Sequence, residues 1–142
     1  MRFGLDYMLR LIHETSVAFD SDLLSGLIFL ALVRANGQHL AELAQLGFSS
    51  QAGVIPDAER RPASVQSLAD SLGLPYETVR RRLHKLCLDG WCRRTRGGYV
   101  IPEEVLLRSS NLAIMSRNLG SFQLMLARAH RAGLTLSEVI AG

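Results

Sequence analysis

Between Ser64 and Ile101 the apolar positions form two helical stripes and then shift to the period of a strand. Val65, Leu68, Ala69 and Leu72 lie on one stripe of a helix, with Ser64 placed to cap its first turn. Gly73 follows that stripe, and glycine accepts the left-handed conformation that a helix C-terminus favours. Leu74 and Pro75 form a tight connection, and proline pre-sets φ for entry into the next helix. A second helix is expected from about Tyr76 to Leu88, with Val79, Leu83 and Leu86 facing inward. After Asp89 and Gly90 the period shortens. Residues 91–95 predict a short strand, Arg96-Gly97-Gly98 a turn, and residues 99–101 a return strand.

The flanks are helical. Met1 to about Val17 carries Phe3, Tyr7 and Leu11 on one face, widened by Leu5, Met8 and Ile12. Asp20, Ser21 and Asp22 offer caps for a helix extending towards Leu46. Its first half is apolar almost all round. It should therefore be buried on most sides, by this chain or by a second subunit. Gly47 to Pro62 has no helical period and predicts a loop of roughly 16 residues. Pro102, Glu103 and Glu104 start another helix, since proline and acids suit a helix N-terminus. Ser109, Ser110 or Asn111 then caps a longer one. Leu112, Met115, Leu119, Phe122, Leu126 and Ala129 recur along it at alternating spacings of three and four, a coiled-coil type of seam ending near Gly133. That seam packs on the chain's own N-terminal helices or on its copy in a dimer. Residues 134–142 are expected to be a short helix or a frayed end. The expected organisation is 1–61 for the N-terminal helices and loop, 62–102 for the two helices and hairpin, and 103–142 for the C-terminal helices. The fold class is mainly α with a small β-hairpin.

Charge sharpens this picture. The chain carries +3 overall, but residues 1–61 hold −2, residues 62–101 hold +4 and residues 102–142 hold +1. At 100° per residue, Glu77, Arg81, His84 and Lys85 lie opposite Val79, with Arg80 on one shoulder and Arg82 on the other flank. The hairpin adds Arg93, Arg94 and Arg96. A solvated surface accounts for single arginines. It accounts poorly for a helix and a hairpin that are both basic with little acid between them. A cationic helix face with Tyr76 and Thr78 near its start suits a DNA major groove, and the positive field suits phosphates. Arginine supplies 15 of the 16 cations. Genome composition alone can produce that preference, so arginine identity by itself is not taken as recognition.

Leu68-Ala69, Gly73, Thr78-Val79-Arg80, Leu83, Leu86, Gly90 and the Arg/Gly hairpin together look like the winged helix-turn-helix of bacterial transcription regulators. The spacing resembles the MarR-like and GntR-like repressors most. The resemblance spans about 40 residues of the chain and speaks for that unit alone. Pro75 stands where such proteins often place a Ser or Thr cap. The resemblance implies a cytoplasmic, homodimeric, sequence-specific regulator that binds double-stranded DNA. The helix over 76–88 would enter the major groove and the wing over 91–101 would lie on the backbone or minor groove. Arg80 and Arg81 are the candidates for guanine contacts, because arginine matches O6 and N7 with two donors. Tyr76, Thr78, Arg82 and Lys85 are candidates for phosphate contacts, Glu77 and His84 share the same face, and Arg93, Arg94 and Arg96 belong to the wing. Arg60 and Arg61, just before the unit, are expected to be solvated or to touch the DNA backbone. The alternative is a winged helix used for protein–protein contact.

Other chemistry is sparse. There is no Gly-rich phosphate loop, HExxH pair or nucleophile motif, so no enzyme and no cofactor is expected. His84, Cys87 and Cys92 raise the idea of a metal or thiol sensor. His84 should face outward, however, and metal binding needs three or four converging ligands, so no metal site is expected. Cys87 and Cys92 are expected to be small, half-buried side chains, and Trp91 a core anchor at the hairpin base. Two cysteines without a framework fit a reducing compartment. The longest apolar run, Leu27 to Val33, is too short to span a bilayer, and no signal-peptide pattern opens the chain. The apolar helices leave room for a small-molecule effector but name none.

Overall fold

A computed structural model of the chain describes residues 2–45 and 56–134. Most of the expected loop over 47–62, and the expected tail structure over 135–142, lie outside the described residues. In chain order the elements are α1 (Arg2–Ala18), α2 (Leu23–Gln45), a single 3-10 turn (Asp57–Glu59), α3 (Val65–Leu72), α4 (Tyr76–Leu88), β1 (Arg93–Thr95), β2 (Gly98–Val100), α5 (Glu103–Leu106) and α6 (Ser109–Arg131). They form two compact units, Asp22–Arg108 and Met1–Ser21 with Ser109–Gly142. α2 and α5 both belong to the larger unit, with the two helices and hairpin over 62–102.

In the larger unit α2 packs on α3, α4 and β2. Ile28 and Leu32 on α2, Leu68 on α3, and Val79, Leu83 and Leu86 on α4 are buried together with Ile101 and Val105. By length and composition alone, Leu23–Leu40 could cross a bilayer, with mean hydropathy 1.2. In this fold its apolar side is instead the core of the unit. Leu27 and Leu30 stay exposed in the single chain.

Asp22 stands just before α2, and its carboxylate accepts the Ser25 amide at 3.2 Å and the Ser25 hydroxyl at 2.7 Å, which is the expected cap. Asn36 has no exposed surface. Its Nδ2 donates to the carbonyls of Arg61 (2.8 Å) and Tyr99 (3.1 Å), and its Oδ1 accepts the Ile101 amide at 2.9 Å. Every polar atom of that buried amide side chain thus has a partner, as burial demands. These bonds fasten α2 to both chain segments that flank the hairpin and α3.

The smaller unit pairs α1 with α6. Tyr7 and Phe122 meet edge to face at 5.7 Å. Arg117 reaches Glu14 at 3.1 Å and Arg128 reaches Asp6 at 3.9 Å. At the C-terminal end of the seam Leu126 is half-buried and Ala129 is buried. Leu112, Met115 and Leu119 remain exposed, as do Leu5, Met8 and Leu9 on α1.

Candidate nucleic-acid interface

The two helices of the motif are set by local signals. Ser64 Oγ accepts the Ser67 amide at 3.1 Å, and Gly73 closes α3 in the left-handed region at φ 65°. The Leu74 amide donates back to the Ala69 carbonyl at 3.0 Å and completes the turn. Pro75 precedes α4 without any side-chain cap, as its chemistry requires.

α4 then presents Tyr76, Glu77, Arg80, Arg81, His84 and Lys85 to solvent, while Thr78 is half-buried. Glu77 is the electrostatic centre of that face. Arg80 donates to it through Nε (2.8 Å) and Nη2 (2.6 Å), and Arg81 through Nε (3.1 Å). Hydrogen bonds from Arg80 and then Arg81 pull the Glu77 carboxyl down to about 2. Lys85 pairs with Asp89 at 3.3 Å, one turn further on.

Arg82 behaves differently from its neighbours. It turns away from the exposed face, binds the Asp22 carboxylate and lies 3.5 Å from Ser25 Oγ, with a third of its side chain exposed. Burial pushes the Asp22 carboxyl up, but hydrogen bonds from Ser25, and Arg82 beside it, outweigh burial and hold it below the usual range. Arg82 therefore ties α4 to the start of α2, and a phosphate would have to compete with Asp22 for it.

The hairpin pairs Arg93 with Val100, Arg94 with Tyr99 and Thr95 with Gly98. Arg93, Arg94 and Arg96 are exposed and form no ion pair among the described residues. A third segment completes the wing. Ala63 exchanges two backbone hydrogen bonds with Tyr99, at 2.9 and 2.8 Å. Gly98, at φ 136°, lies so close that a Cβ there would sit 2.4 Å from the Ala63 carbonyl oxygen. Trp91 anchors the base, edge to face with Phe29 at 5.3 Å and under the Arg108 guanidinium at 5.8 Å.

The structure thus brings Arg80, Arg81, His84 and Lys85 onto one helix face and Arg93, Arg94 and Arg96 onto the hairpin. It takes Arg82 into an internal ion pair. Arg60, expected at the surface, has a side chain only 2% exposed, with Nε 3.6 Å from Asp57. Arg61 does remain exposed. Sequence reasoning missed Asn36 and Ala63. Asn36 continues the spacing of four set by Ile28 and Leu32, a usable signal for the first, while nothing local marks the second.

Residues 58–105 match a family model described as a DeoR-like helix-turn-helix domain, which spans less than half of the chain. No curated protein and no solved structure matches the chain. The match names the DeoR-like group rather than the MarR-like or GntR-like groups that the spacing resembles. With the hairpin it supports a winged helix-turn-helix of the DNA-binding, regulatory kind.

Proposed function

We propose that the chain is a sequence-specific transcription regulator that binds operator DNA as a homodimer in the cytoplasm. The observation that carries this reading is the exposed cationic surface of α4 and the hairpin, on a unit that matches a DNA-binding domain. α4 enters the major groove, where Arg80 and Arg81 exchange Glu77 for guanine edges. Tyr76, Thr78 and Lys85 fix the register on phosphates, and Arg93, Arg94 and Arg96 hold the backbone or minor groove. The reading includes no catalytic step, and an effector is left open. Homodimerisation is supported by the apolar residues of α1 and α6 that stay exposed, with a second copy as occupant.

Binding to duplexes selected from random DNA tests the assignment. Affinity should fall by orders of magnitude between about 50 and 200 mM salt if several phosphates are engaged. Arg81→Ala should cost about 1–3 kcal/mol at the preferred site and relax base choice at one position. Arg96→Ala should weaken all sequences evenly and reduce the salt slope by about one unit. The opposite pattern would make the wing the reading element. No binding to any duplex at low salt would end the proposal and leave protein–protein contact in its place.

A further inference from the structure

Cys87 lies in the last turn of α4, and Cys92 stands immediately before β1. Their sulfurs are 3.1 Å apart. Neither is bonded to another cysteine, and among the described residues no third His, Cys, Asp or Glu joins them to make a metal-binding group. The pair therefore sits at the junction of the two elements that carry the exposed cations. We propose that Cys87 and Cys92 form an oxidation site, which a hydroperoxide converts into an intramolecular disulfide that weakens DNA binding. The effect on DNA rests on the function proposed above, whereas the disulfide does not.

The geometry assigns the roles. Cys87 is half-buried and accessible to a small oxidant, while Cys92 is 6% exposed and lies 3.7 Å from the Leu83 carbonyl, to which its thiol donates. Burial, and then the hydrogen bond with Cys87, pushes the Cys92 thiol up, so it stays protonated and is the poorer first nucleophile. The Cys87 thiolate attacks one peroxide oxygen. The O–O bond breaks, a sulfenic acid forms, and the other oxygen leaves as water or an alcohol. The Cys92 sulfur then attacks the Cys87 sulfur. The S–O bond breaks, and the departing hydroxide takes the Cys92 proton as a second water. Two thiols are oxidised by two electrons and one peroxide is reduced.

A disulfide needs its sulfurs at about 2.05 Å, so the pair must close by about 1 Å. Cys92 is followed directly by Arg93 and Arg94. Drawing its sulfur towards Cys87 pulls it off the Leu83 carbonyl and shifts the first strand of the hairpin. The wing cations then lose their register with the helix face.

The experiment uses the full chain, folded, treated with a slight excess of hydrogen peroxide. Cleavage after Lys85 and Arg93 yields one peptide holding both cysteines. That peptide should lose the mass of two hydrogens, both thiols should vanish together, and dithiothreitol should restore them. Affinity for a duplex selected with reduced protein should fall by about tenfold and recover on reduction, as loss of wing phosphate contacts implies. Cys87→Ser should abolish the response to peroxide while leaving reduced affinity intact. Sulfinic or sulfonic acid at Cys87 with Cys92 still free, or a disulfide between chains, would overturn the site. A disulfide that leaves affinity unchanged would overturn the effect on DNA. If reduced protein binds no duplex, the functional reading fails, and the peptide mass still decides the site.

Discussion

Glu77 holds the two arginines assigned to base recognition, so the free protein keeps part of its positive surface neutralised. Its carboxyl titrates at about 2 rather than the ordinary 4.5, because Arg80 and Arg81 donate to it. A depressed acid contributes stability above its unfolded value, and that contribution fades as pH falls towards about 2. Carboxyl chemical shifts followed against pH should place the Glu77 midpoint well below the other glutamates, and a midpoint at the ordinary value would refute the pairing. Glu77→Gln should raise affinity for any duplex and steepen the salt dependence by about one unit, since it removes one negative charge that faces the phosphates. A variant with the wild-type slope would show that Glu77 does not compete with DNA. Much of this residue pattern was legible, because one helix face follows from 100° per residue. Arg82 was not. Its partner Asp22 is 60 positions away, and no local rule couples them.

At the scale of elements, α3 and α4 were legible almost to the residue. Their limits are set by Ser64, Gly73 and Pro75, which act on the backbone beside them. The hairpin was also legible from its glycine turn. Its third segment was not, because Ala63 pairs with Tyr99 across the whole helix-turn-helix. That pairing gives Gly98 a role beyond turn formation. Gly98→Ala would drive a Cβ into the Ala63 carbonyl, 2.4 Å away, at a φ that side chains avoid. Thermal denaturation should show a loss of about 3 kcal/mol or more, from strain plus overpacking. Gly97→Ala faces only Pro62 side-chain carbons at 3.4 and 3.5 Å and should cost far less. Equal losses in the two variants would refute the close approach at Gly98.

For the whole molecule, the apolar surface left on α1 and α6 predicts self-association. Sedimentation at micromolar concentration should give twice the 15.7 kDa chain mass, and Leu119→Glu should shift it towards the monomer. A wild-type monomer would refute the dimer. The seam was legible as a period, but how much of it α1 covers depends on tertiary packing that no period encodes. Asn36 was equally hidden, and it bears on the order of events during synthesis. Its side chain finds partners 25, 63 and 65 positions further along. Until the ribosome has released Ile101, α2 cannot bury that amide without leaving it unsatisfied, at a cost of about 1–3 kcal/mol for each missing bond. The larger unit should therefore stay open through most of its translation and close late, in one step. In the finished protein, the Ile101 amide should exchange its hydrogen for deuterium only as fast as the entire unit unfolds. Faster exchange there than at the Leu83 amide in the middle of α4 would show that the hairpin opens on its own.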